Sequence, residues 1–216
     1  MQLTEIINAL STDPEQMIRS ILRIFHFIGL AIGLGAATIL DLMILRFFLG
    51  RRMTEQNYEF FVFFADIVNV GLKLLWVTGL GFLLYYWLNE PVKLGNEKVW
   101  AKMVIVAILT INGVFIHKVI IPLIGLQIGT NMLHGLTMRR RMALITAGMI
   151  SVVSWYTPLI IANIPHLNFQ VPMLQILGLY ALIMVFVLLL AYLVLFGSRL
   201  AQIRLPRISR RHSNLY

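Results

Sequence analysis

Five long apolar stretches, at about residues 21–49, 58–88, 100–127, 142–163 and 171–198, take up most of this 216-residue chain. At ~1.5 Å of rise per helical residue, each can cross the ~30 Å hydrocarbon core of a bilayer. The predicted fold is therefore an all-α integral membrane protein, a five-helix transmembrane bundle. The composition agrees. Hydrophobic residues make up 59% and charged residues 12%, against roughly 45–50% and 25% in soluble domains. That excludes a soluble enzyme, and so much apolar surface excludes disorder. With no Cys, disulfides, Cys-ligated zinc and Cys-ligated iron–sulfur clusters are excluded too. The second stretch exceeds the membrane thickness, so it should tilt or project.

Residues 1–20 read as an N-terminal surface segment. Residues 2–10 are too short and too polar for a signal-peptide core. Thr12 or Asp13 can cap a helix that Pro14 and Glu15 open. Residues 21–198 form the bundle, and 199–216 a basic tail.

The net charge of +9 would suggest nucleic acid in a soluble protein, but here the basic residues flank apolar stretches. Arg46, Arg51 and Arg52 close the first span. Arg139, Arg140 and Arg141 open the fourth, and Arg199, Arg204, Arg207, Arg210 and Arg211 follow the fifth. These eleven all fall on one side. On the other side, Arg19, Arg23, Lys93, Lys98 and Lys102 are mixed with acids. The positive-inside rule then predicts the N-terminus outside and the C-terminus in the cytoplasm. The lipid bilayer is the expected partner, and nucleic acid is not. Tyr85, Tyr86, Trp87 and Trp100 fall near the outer boundary, as aromatic belt residues do.

Ionisable groups inside spans are expensive and usually turn toward the bundle interior. Span one carries His26 and Asp41. Span two carries Asp66 and Lys73, with Asn69. Span three carries Lys102, His117 and Lys118, with Asn112. Span five has none in its middle, which makes it the candidate for the most lipid-exposed helix. Gly29, Gly33, Ala37 and Asp41 recur every fourth residue, a small-residue stripe suited to close helix packing. Asp66, Asn69 and Lys73 also share one helical face.

Depth sorts these residues into two levels, about 22 Å apart along span one. The inner level holds Asp41, Asp66, His117 and Lys118. It reads as a structural charge cluster or as a proton or ion path, and Lys118 can snorkel to the interface. The outer level holds His26 and Lys102, with His166 from the loop after span four. Three roles are open there: plain interfacial residues, an axial imidazole and a propionate-pairing cation for a haem b, or a transition-metal site with His26 as ligand. The eleven Met residues are scattered over the spans, which suits core packing better than copper binding. In span four, Pro158 follows Ser151, Ser154, Trp155, Tyr156 and Thr157. A proline kink lined this way can border a cofactor or a cavity, or serve packing alone. No nucleotide loop, zincin motif or nucleophile elbow is present.

Two of these stretches carry a resemblance. Phe25-His26 runs into the small-residue segment GLAIGLGAA, and Trp100-Ala101-Lys102 opens span three. Together they resemble a group of small bacterial membrane proteins that includes copper-resistance D-like proteins and the J-type protoporphyrinogen oxidases. The resemblance covers some 50 residues. It implies a b-type haem, functional His and Lys residues matching His26 and Lys102, and a multi-pass protein of the bacterial cytoplasmic (inner) membrane. The oxidases end their first span on an Arg-Leu-Phe-Val-Tyr-His-like segment. This chain instead reads Asp41-Leu42-Met43-Ile44-Leu45-Arg46-Phe47-Phe48. The expectation is therefore haem binding and electron or proton handling rather than that oxidase activity. Two alternatives stand beside it. One is a small transporter or copper permease with a path through Lys73, Asn69, Asp66 and Asp41. The other is an accessory or anchoring subunit bound to other membrane subunits or a redox partner.

Overall fold

The computed structural model describes residues 14–48, 52–130 and 135–204. Residues 1–13, Arg51 and the tail from residue 205 onward lie outside the described residues. Five helices are long and apolar enough to cross a membrane. Helix α1 spans Pro14–Phe48 and α2 spans Glu55–Asn89. Helix α3 spans Glu97–Phe115 and runs on through a π-helical turn, Ile116–Ile120, into a last α-turn, Ile121–Gly125. Helix α4 spans Met138–Ala162 and α5 spans Met173–Arg204. Short 3₁₀ segments, Pro91–Gly95 and Pro165–Leu167, link α2 to α3 and α4 to α5 on one end of the bundle, the Glu90 side. The other links lie at the opposite end, the Arg139 side.

Local chemistry explains the helix boundaries. Pro14 sits in the first turn of α1, where its missing N–H matters least. The Thr54 side chain accepts the Asn57 N–H at the start of α2, and the Asn96 side chain accepts the Lys98 N–H at the start of α3. In α3, Pro122 has no N–H for the Lys118 carbonyl, and the Ile121 N–H reaches five residues back to Ile116. The π turn absorbs the mismatch, as such bulges do. On the Arg139 side, Met53 is fully buried and joins two connections. Its N–H donates to the Thr130 carbonyl (3.0 Å), and its carbonyl accepts the Gly129 N–H (2.7 Å).

Helices α1 and α2 form the most extensive contact, and α4 packs against α1, α3 and α5. The α1–α2 seam is the small-residue stripe. Gly71 lies so close to α1 that a Cβ there would come within 2.5 Å of the Gly33 Cα and N. A Cβ on Gly33 would come within 2.4 Å of the Trp155 ring edge. Three helices therefore meet at these two glycines. Interhelical hydrogen bonds add to the packing: Trp76 to Thr110 (2.9 Å), Asn112 to the Ala147 carbonyl (2.9 Å), Thr38 with Tyr156 (2.9 Å) and Ser154 with Tyr180 (2.9 Å). Inside a membrane each such bond contributes about 0.6 kcal/mol on average. The buried Lys98 ammonium takes the Ile164 carbonyl at 2.8 Å and so ties α3 to the end of α4. The most apolar 18-residue window of α5 is only 11% buried, against 28–44% in the other four helices. Helix α5 is thus the most exposed of the five, in line with its lack of mid-span polar residues.

Candidate functional site

Two cavities lie between helices α1 to α4, one on each side of a central cluster of Leu72, Leu75, Leu109 and Trp155. The larger, on the Glu90 side, has a volume of about 370 Å³. That falls within the range of roughly 300–1,000 Å³ usual for small-molecule pockets. Its walls are mostly apolar and aromatic, with Trp76, Phe82, Tyr86 and Trp155 among them. Three basic side chains line it as well: Arg23 and His26 from α1, and Lys102 from α3.

His26 has a defined orientation. Its Nδ1 lies 2.8 Å from the Thr78 Oγ1 on α2. The Thr78 hydroxyl donates to the Leu74 carbonyl one turn back, at 2.7 Å. With its only proton used there, Thr78 must accept from the imidazole. Neutral His26 then carries its proton on Nδ1 and leaves Nε2 as a free lone pair. No protein hydrogen bond to Nε2 occurs among the described residues, and the ring borders the cavity. Fixing one ring nitrogen so that the other can act as a ligand is the usual arrangement around a metal-bound histidine.

Aromatic rings lead from His26 toward the Glu90 side. His26 meets Phe82 edge-on with 5.7 Å between centroids, and Phe82 stacks on Tyr86 at 6.0 Å. The Lys93 ammonium sits 5.3 Å above the Tyr86 ring. Lys93 also pairs with Glu90, whose other oxygen takes Arg19 at 3.2 Å. The hydrogen bond and charge of Lys93, helped by Arg19, hold the Glu90 carboxyl below its ordinary value of 4.5. A lowered carboxyl stabilises the fold above that value, and the contribution fades as the pH falls below 4.5 through the folded-state value. Glu90→Gln should therefore lower the melting temperature modestly in the neutral region, leave it nearly unchanged well below pH 4.5, and so flatten the acid limb of the profile. An acid limb identical to that of the parent protein would refute this.

The smaller cavity, about 50 Å³, lies on the Arg139 side of Trp155. Its polar lining is Asp41 from α1, Asn69 from α2, Asn112 and His117 from the third span, and Ser151 and Trp155 from α4. The Asn69 amide donates to the His117 Nε2 at 2.7 Å. Trp155 borders both cavities, is 3% exposed, and has an indole N–H without a partner among the described residues.

The residues singled out from the sequence thus separate into four places. His26 and Lys102 share the larger cavity. His166 is exposed on the 3₁₀ segment after α4 and does not line that cavity. Asp41, Asn69, Asn112 and His117 share the smaller cavity. Asp66, Lys73 and Lys118 are exposed on the outer faces of their helices. The shared face expected for Asp66, Asn69 and Lys73 is split. Asn69 lies toward His117, while Asp66 and Lys73, seven residues apart, line up with the exposed Val70 and Val77. An i, i+3, i+7 set spans only about 60° of the helix surface, and here the boundary between interior and exterior runs through it.

Sequence reading did not single out Thr78, the partner of His26, or give Arg23 and Met103 a place beside it; all three depend on which faces the neighbouring helices present. Among the described residues no group of three or more His, Asp or Glu side chains could hold a bare metal ion. Comparison with known proteins found no matching family model, no matching curated protein and no matching solved structure.

Proposed function

We propose that the protein is a b-type haem protein of the bacterial inner membrane that carries electrons through the larger cavity. The observation that carries this reading is the His26–Thr78 pair, which presents a free imidazole Nε2 to a mostly apolar cavity of small-molecule size. A lone histidine is a poor site for a bare metal, but a haem needs only axial ligands from the protein, because its porphyrin provides four nitrogens. The donor set fits. His26 would ligate through Nε2. Arg23 and Lys102, from helices on two sides of the same cavity, would pair with the propionates. Met103 brings a thioether to the same lining and is the candidate second ligand. A haem b bound there would supply one-electron redox chemistry. The Phe82 and Tyr86 rings would lie between His26 and the Glu90-side surface, where Arg19, Glu90 and Lys93 would meet a redox partner. The distribution of basic residues supports placing that surface outside. The test is an absorption spectrum of the purified protein, oxidised and then dithionite-reduced. A Soret band at about one haem per chain is expected. A featureless spectrum from haem-replete cells would end this reading.

A second observation favours the accessory-subunit reading, which is compatible with the first. Lys73 lies one residue past the midpoint of α2, exposed on its outer face, and Asp66 lies two turns away on the same stripe. A charge at mid-membrane costs about 2.5–3.5 kcal/mol on insertion scales. A second copy related by an axis along the membrane normal would bring like charges to equal depth, which is unfavourable. The stripe instead suits a transmembrane helix of another subunit with an acid at the depth of Lys73 and a base about 10 Å nearer the Arg139 side. Lys73→Met combined with Asp66→Leu should abolish co-purification of a stoichiometric subunit from native membranes. The thermal melting of the isolated chain should stay the same. Undiminished co-purification of that subunit would refute the assignment.

A further inference from the structure

We propose that the smaller cavity is a hydrated proton-exchange site in which Asp41 and His117 take up and release a proton. We propose further that this uptake accompanies electron transfer at the larger cavity. The second statement rests on the haem reading; the first does not.

A cavity of about 50 Å³ is well above the roughly 10–15 Å³ needed to hold one water. Apolar cavities of such size stay dry, and polar ones fill when each water finds two to four partners. The lining is mostly apolar, and the partners are the few polar groups set into it. The Asp41 carboxylate accepts no hydrogen bond from the described residues. The Trp155 indole N–H is buried without an acceptor. Ser151 adds a hydroxyl to the same lining. A water can donate to the carboxylate and accept from the indole N–H.

Among the described residues, the titratable lining is limited to two groups. Helix α1 contributes Asp41, and the third span contributes His117. Helix α2 contributes Asn69, while its Asp66 lies exposed on the outer face. Helix α4 contributes Ser151 and Trp155, and the neighbouring Lys118 is also exposed. No Lys or Arg lines the cavity among the described residues. A proton arriving there can therefore settle only on the Asp41 carboxylate or the His117 ring.

The Asn69 amide couples this choice to a conformational change. Its NH₂ donates to the His117 Nε2, so neutral His117 carries its proton on Nδ1. A second proton must occupy Nε2, turning that nitrogen from acceptor into donor. The amide must then rotate to offer its carbonyl oxygen. Proton uptake at His117 thus requires a flip of Asn69, and release reverses it. The π turn, a feature frequent at functional sites, carries His117 itself. Trp155 walls both cavities. A proton bound beside it is thus one side chain away from the cavity that His26 borders. One electron delivered to a haem there would be balanced by one proton drawn from water on the Arg139 side onto Asp41 or His117.

The experiment is an infrared pH titration of the purified full-length protein in ¹H₂O and ²H₂O, followed by a spectroelectrochemical titration of the same sample. A carboxylic acid band that titrates, shifts on deuteration, disappears in Asp41→Asn and is displaced in His117→Gln is expected. His117→Gln preserves polarity and approximate size, so it still reports if Asp41→Asn fails to fold. An Asp41 band that does not exchange with deuterium, or is unmoved by His117→Gln, would overturn the proton site. With haem bound, the midpoint potential should fall as pH rises in the parent protein and lose that slope when Asp41→Asn and His117→Gln are combined. A retained slope would overturn the coupling. If the sample shows no Soret band but its Asp41 band titrates and exchanges, the haem reading fails and the proton site stands.

Discussion

Protein carrying His26→Ala, purified from haem-replete cells, should show no Soret band, while the parent shows one haem per chain. The loss should be essentially complete. Among the described side chains that line the larger cavity, His26 is the only one with an imidazole nitrogen. Removing the second partner of the ring should give a graded result. Thr78→Val keeps the shape of the side chain but deletes the oxygen that accepts the Nδ1 proton. Loss of such a partner typically lowers metal affinity about 10–100-fold. Thr78→Val should therefore bind haem more weakly and still bind it through His26. Haem titration of the apoprotein, read at the Soret maximum, separates the outcomes. A full Soret band in His26→Ala would remove His26 from the iron, and unchanged affinity in Thr78→Val would deny the hydrogen bond any part in haem binding.

The second large effect concerns the seam between α1 and α2. Gly71→Val should destabilise the bundle strongly, because the new Cβ meets backbone atoms of Gly33 at 2.5 Å and backbone cannot rotate away. Overpacking where a side chain can shift costs about 1–3 kcal/mol, and this contact should reach or exceed the upper end. Gly33→Ala meets a different obstacle, the edge of the Trp155 ring at 2.4 Å. Its effect should be smaller and should be partly relieved by Trp155→Phe, which removes the far edge of the indole. At Gly35 and Gly79 an added methyl would have nothing within 4 Å, so alanine there should be tolerated. Thermal melting in detergent, followed by circular dichroism, checks all four. Gly71→Val melting with the parent, or no rescue of Gly33→Ala by Trp155→Phe, would contradict this packing.

The Gly29–Gly33–Ala37 stripe is legible as a spacing, and it does pack closely, with Ala37 buried and Gly33 pressed against its neighbours. Its partners are not legible, because Gly71 and Trp155 are separated from it by tens of residues in the chain. Asp66 and Lys73 show the opposite failure. Their spacing with Asn69 is plain in the sequence, but the direction of that face depends on where α2 meets α1 and the third span. Helix rotation about its own axis is set by neighbours, so periodicity within one helix leaves it undetermined.

Five helices long and apolar enough to cross a membrane, their approximate extents and the exposure of α5 all follow from the order of residues along the chain. Local hydropathy is enough for these, since a lipid-crossing segment must be apolar over its own length whatever its neighbours are. Folding in three dimensions was needed to bring His26 to Thr78 and His117 to Asn69, to keep His166 apart from both, and to stand Trp155 between two cavities. A site between helices depends on which faces are turned together, and in a bundle those facing residues lie far apart in the chain.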